Sequence, residues 1–159
     1  MKPRYDTLPS VVPVGRFLIR TQHLIVALTH IEVYLGGCML MVQLSGKAGG
    51  QGPQIHSRDA FERLVFAAGF GDDICAVLDG WPHVARSKGP LQLSHAGSET
   101  GESAGRAESN VSLWLHPLPP SVSGTLSIIA PDLGPQLSPC PLDGRAIVAA
   151  SELAQPYWP

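Results

Sequence analysis

Apolar and polar residues alternate along most of this chain in short runs, and nearly every run stops at a glycine or a proline. The clearest run is HLIVALTHIEVY (23–34), rich in β-branched and aromatic residues, which predicts a strand. GG at 36–37 then predicts a turn, and CMLMVQLS (38–45) a returning antiparallel partner. RFLIR (16–20) reads as a short edge strand. FERLVFA (61–67) and ICAVLD (74–79) form a second pair across the turn AGFGDD, and PLQLS (90–94), NVSLWLH (110–116) and GTLSIIA (124–130) add three more strands. Short strands set between Gly/Pro turns are what a sandwich or a barrel produces. The expected fold class is therefore all-β, mainly antiparallel: a β-sandwich.

The segments between strands complete the outline. Prolines at 3, 9 and 13 make residues 1–15 an extended N-terminal arm. GKAGGQGPQ (46–54) reads as a Gly-rich loop, and HAGSETGESAGRAESN (95–110), polar and small throughout, as a flexible polar loop. At the other end the pattern changes to helix-formers. Residues 143–155 predict one short C-terminal helix, with Asp143 as N-cap, Pro156 as stop, and Ile147, Ala150 and Ala154 as its docking face. A helix of that length is marginal alone in water, so it must pack on the body. A single domain spans 1–159, a usual size for one core.

Side chains alternate between the two faces of a strand. Along 23–34 one face holds Ile25, Ala27, Thr29, Ile31 and Val33, which reads as the core face. The other holds Leu24, Val26 and Leu28, followed by His30, Glu32 and Tyr34. Leaving three large aliphatic side chains bare would forgo roughly 5–8 kcal/mol. Leu24, Val26 and Leu28 are therefore expected to be covered by the arm, by the C-terminal helix and its tail, or by a partner protein or second copy. Tyr157 and Trp158 in the tail PYWP join them as candidate interface residues, because aromatics left in water waste burial free energy.

Composition narrows the function classes. The net charge is −2 and charged residues make up only 15%. Lys and Arg are scattered rather than clustered, which argues against nucleic acid as a partner. Cys38, Cys75 and Cys140 are odd in number and never two residues apart, which suits neither a disulfide framework nor a four-cysteine zinc site. The longest apolar runs, LIVAL (24–28) and CMLMV (38–42), are too short to span a membrane, and the first residues lack a secretory apolar region. A cytoplasmic protein without a cofactor or a membrane partner is expected.

Two constellations could carry chemistry. GESAG (101–105) matches the G-x-S-x-G of a serine-hydrolase elbow, with Ser103 in the attacking position. An elbow needs a strand running straight into a tight turn and a helix. Here the nearest upstream strand, PLQLS, ends well before Ser103 and another strand follows, so the loop reading is preferred. His30 and Glu32, at i and i+2 on one strand, share a face about 6.6 Å apart and could give two ligands to a metal if a third came from elsewhere. The solvated-pair reading is preferred, and no metal site is assigned. GKAGG lacks both the upstream glycine and the Ser/Thr of a phosphate-binding loop, and Asp72–Asp73 lack the spaced ligands of a calcium loop. Trp114 shares a strand face with His116 and is expected to be a core anchor among Val111, Leu113 and Leu115.

Taken in order, RTQHLIVALTHIEVY (20–34), WLHPLPP (114–120), TLSIIAPDLG (125–134) and DGRAIVAASELAQPYWP (143–159) form a recognisable series. It resembles a group of small bacterial proteins of unassigned function that carry R-T-x-x-h-x-V-A-L, W-x-x-P-L-P-P and Q-P-x-W-P in the same order. The resemblance spans most of the chain and implies an all-β domain with a C-terminal helix, but no activity. The resulting expectation is a non-catalytic binding or assembly module acting through a sheet face or its aromatic C-terminal end. A serine hydrolase using Ser103 and a metal-binding protein using His30 and Glu32 are the alternatives.

Overall fold

The computed structural model describes residues 6–47, 64–79, 85–103, 106–129 and 139–158. In chain order their elements are β1 (Thr7–Leu8), β2 (Ser10–Arg20), β3 (Leu24–Val33), β4 (Cys38–Lys47), β5 (Val65–Phe70), β6 (Ile74–Asp79) and β7 (Ala85–Lys88). Then follow β8 (Gln92–Ser103), β9 (Arg106–His116), β10 (Ser123–Ile129), β11 (Cys140–Asp143), α1 (Gly144–Ser151) and β12 (Gln155–Pro156). One five-stranded sheet has the order β2-β3-β4-β9-β8 and a second the order β11-β10-β5-β6-β7. Every pairing is antiparallel. The fold is the expected all-β sandwich.

The inner faces interdigitate through the alternate residues of each strand. Leu40, Val42 and Leu44 of β4 and Val111, Leu113 and Leu115 of β9 meet Phe66, Phe70, Leu78, Leu126 and Ile128 of the second sheet in one core. Helix α1 buries Ile147 and Ala150 and lies against β2, β3 and β10. Asp143 is its N-cap as expected, its carboxylate accepting from the Ala146 N–H at 3.1 Å. The helix is shorter than the 143–155 expected. It ends at Ser151, and residues 155–156 instead form β12, which pairs with β1.

Strand β3 corrects the expected face assignment. Leu24, Val26 and Leu28 expose 1%, 0% and 0% of their surface and point into the core. Beyond them it is Ile31 and Val33 that are buried, so the inward parity changes from even to odd within one strand. The cause is a bulge at Thr29. Leu28 pairs with Val42, but His30 already pairs with the adjacent Met41, which leaves Thr29 as an extra residue. On the other side β2 absorbs the irregularity with Val14 and Gly15 set against Thr29, and Gly15 takes the positive φ of 64° that such a kink demands. Leu24, Val26 and Leu28 thus lie in the core of the same chain, which also takes in Ile147 and Ala150 of the helix that packs on β3.

Two expected loops are also strands. Residues 10–15 of the supposed arm continue into RFLIR as one edge strand, β2, where Pro13 is tolerated because the ladder has no neighbour on one side. Of residues 95–110, expected as a flexible polar loop, 95–103 form most of β8 and 106–110 the start of β9, the two strands being paired from Gln92↔His116 to Ser103↔Arg106. Among their described side chains Ala107 and Ser109 are buried and most of the others are exposed. The backbone ladder is what orders them, and a polar edge strand also resists pairing with other chains. Of the Gly-rich loop 46–54, Gly46 and Lys47 belong to β4 and the rest lies outside the described residues. Of strand 61–67 only 64–67 is described, and β5 extends the strand to Phe70.

Candidate functional site

The bulge at Thr29 turns the second half of β3 inside out, and this creates the most organised polar cluster on the outer face of the first sheet. His30 and Glu32 point outward there, both half-buried. The Thr29 hydroxyl donates to the Met41 carbonyl at 3.0 Å, fixing the bulge to β4. His30 Nδ1 lies 3.0 Å from the same hydroxyl oxygen. The other ring nitrogen, Nε2, faces Glu32 Oε1 at 3.7 Å. The opposite carboxylate oxygen, Glu32 Oε2, accepts from the Tyr34 hydroxyl at 3.2 Å.

The string continues into aromatic contacts. Tyr34 meets Trp114 edge-on with ring centroids 5.9 Å apart, and Trp114 stacks on His116 at 6.1 Å. Trp114 is a buried anchor, as expected, but not among Val111, Leu113 and Leu115. Those residues face the core, while Trp114 lies on the outer side of β9 and is still only 5% exposed. The turn before β4 allows this, because a Cβ on Gly37 would overlap the indole ring and the Leu115 carbonyl. The Trp114 Nε1–H is buried with no acceptor among the described residues. Burial holds the His116 imidazole below its ordinary pKa.

This cluster is poorly equipped for the two chemistries considered from sequence. Among the described residues no group of three His, Cys, Asp or Glu side chains could hold a metal, so His30 and Glu32 have no third ligand there. Ser103 pairs with Arg106 at the end of an antiparallel hairpin, so its strand leads into another strand rather than a helix. That arrangement lacks the strand–turn–helix geometry that raises a nucleophile and aims N–H groups at an oxyanion. Two of the three thiols offer no alternative. Burial pushes Cys38 up to about 12, and Cys140 is also raised by burial, with Arg16 partly opposing. Both stay protonated and unreactive at neutral pH.

The C-terminal residues singled out from sequence stand apart from this cluster. Trp158 and Tyr157 are 76% and 53% exposed. They follow a ribbon held by main-chain bonds: Thr7 pairs with Pro156, Leu8 with Gln155, and the Tyr157 N–H donates to the Asp6 carbonyl at 2.7 Å. Leu8 and Leu153 are exposed on the same ribbon and its approach. The structure therefore divides the five candidate interface residues: Leu24, Val26 and Leu28 lie inside, Tyr157 and Trp158 outside.

Sequence reasoning missed the parts of the outer-face string that depend on register. Thr29 as a bulge, and Tyr34 against Trp114, follow only once β3, β4 and β9 are aligned side by side. The sequence hides the inserted residue, because Leu24 to Leu28 are all apolar and show no alternation whose parity could be seen to change at Ile31. Comparison with protein-family models, with curated proteins and with solved structures gives no match for this chain.

Proposed function

We propose that this protein is a non-catalytic binding or assembly module, and that its docking element is the C-terminal ribbon carrying Tyr157 and Trp158. The observation that carries the reading is the exposure of two adjacent aromatics that directly follow a backbone ribbon paired with β1, the last bond of which is made by the Tyr157 N–H. Tyr and Trp each offer about 150–250 Å² of contact area and favour interfaces where one end is apolar and the other wet. Ordered backbone lowers the conformational entropy lost on docking. Leu8 and Leu153 widen the apolar part of the surface. A protein partner fits it better than nucleic acid, since the chain carries a net charge of −2.

The compartment in this proposal is the cytosol, supported by three unpaired cysteines. Among the described residues no helix is long and apolar enough to cross a membrane. Membership of the small bacterial group that the HPLPP and QPYWP motifs resemble belongs to the same proposal and adds no activity to it.

The test is a comparison of the intact protein with the double variant Tyr157→Ala, Trp158→Ala. Each is immobilised and exposed to extract of the native cell, and sedimentation velocity over a range of concentrations monitors self-association. A protein retained, or a dimer formed, by the first and lost by the second is the expected outcome. Equal behaviour of the two, or retention and association by neither, would overturn the proposal.

A further inference from the structure

The opposite end of the first sheet's outer face carries a groove of about 370 Å³, lined by Arg20–Ile25, Ser45, Gly46 and Arg106. Register explains how these distant residues meet. Arg20 pairs with Ile25, Ile25 with Ser45, Leu24 with Gly46, and Gly46 and Lys47 with Ala107 and Arg106. The turn Thr21–His23 closes the end. It is fixed by the Thr21 hydroxyl, which accepts from the N–H groups of His23 and Leu24 and lies 3.2 Å from the Leu24 carbonyl.

Among the described residues the lining gathers two guanidinium groups and an imidazole and contains no aspartate or glutamate, on a protein whose net charge is −2. Arg20 lies over the Phe17 ring at 4.6 Å. A guanidinium resting on an aromatic face is oriented without using its in-plane N–H donors. Arg106 spends one nitrogen on Glu108, 3.3 Å away, and both side chains remain half-exposed, so the pair is readily displaced. One carboxylate is satisfied by a single guanidinium fork, whereas a phosphoryl group presents three oxygens and up to two charges to several donors. The volume lies in the range of small-molecule sites, which leaves room for an organic body against Ile25 beside the phosphoryl group.

We infer that this groove binds a small phosphorylated molecule, its phosphoryl group held between Arg20 and Arg106 with His23 at the turn. The inference is independent of the docking proposal, since Tyr157 and Trp158 are not part of the lining.

Titration calorimetry and thermal melting at constant ionic strength test it, using inorganic phosphate, glycerol 3-phosphate and glycerol as probes. Saturable binding and stabilisation by the two phosphates but not by glycerol are expected. Arg20→Gln and Arg106→Gln should each weaken glycerol 3-phosphate binding roughly tenfold, the scale of one charge-assisted hydrogen bond. Arg86→Gln, which removes the same charge from the second sheet, should leave it unchanged. Co-sedimentation with phosphatidylcholine vesicles with or without phosphatidic acid distinguishes the source: arginine-dependent pelleting assigns a lipid phosphate, and none, with glycerol 3-phosphate bound, a soluble one. No saturable response to any phosphate probe, or an equal loss in all three variants, overturns the inference.

Discussion

The two ends of the first sheet's outer face treat their polar side chains in opposite ways. Near the β3–β4 turn, Thr29, His30, Glu32 and Tyr34 form a string that ends against Trp114. At the far end Arg20, His23 and Arg106 surround open space, and only Arg106 has a carboxylate within ion-pair distance among the described residues. Polar side chains bonded to one another, as Tyr34 is to Glu32, stiffen the sheet and leave less for a ligand to gain. Charges converging on a groove leave that gain available. The same strand serves both ends because the bulge at Thr29 changes which of its residues face outward.

The sharpest way to break this contrast is to delete Thr29. Without the extra residue one half of β3 must present the wrong face, placing either His30 and Glu32 in the core or Leu24, Val26 and Leu28 in water. The cost is comparable with the net stability of a whole domain, about 5–15 kcal/mol, so the deletion variant should not fold, as judged by circular dichroism and urea unfolding. Val26→Lys ranks next. Val26 is fully buried, and an unpaired ammonium there should cost more than about 4 kcal/mol, seen as a large drop in the urea midpoint. A Val26→Lys variant of native stability would show that the inner face has been misassigned.

A pH prediction follows from the core beneath the string. Cys38 has a folded pKa raised to about 12 from 9.0, so the folded state holds its proton more tightly than the unfolded state. The resulting stability is fully present below pH 9 and is lost as pH rises from there towards about 12. Urea midpoints measured across that window should fall for the native protein and fall less for Cys38→Ala. The smallest effect is expected from Tyr34→Phe, which removes the hydrogen bond to Glu32 but keeps the ring against Trp114. About 0.5–1.5 kcal/mol should be lost, and the groove at the other end should bind phosphate as before. Weakened phosphate binding in that variant would mean that the two ends are coupled.

How much of this was legible in the sequence depended on what orders each segment. β3 and β4 could be read because large apolar side chains and a glycine pair mark them. The Asp143 cap could be read because a side chain does the capping. Residues 95–103 and 106–110 could not, since the pairing of neighbouring backbone, more than any apolar pattern of their own, orders them. The partnership of His30 with Glu32 was visible as a two-residue spacing. The groove was not, because Arg20 and Arg106 are brought to it only through the alignment of β3 and β4 between their strands, and cross-strand alignment leaves no mark on either residue alone.

The pairing of β1 with β12 bears on how the molecule assembles. It joins segments about 150 positions apart in the chain through two residue pairs, so its closure entropy is large and few contacts repay it. The ribbon should zip up after both sheets have formed and be the first element to fray on warming. Trp158 fluorescence should therefore report a separate, earlier transition than the far-ultraviolet signal of the strands.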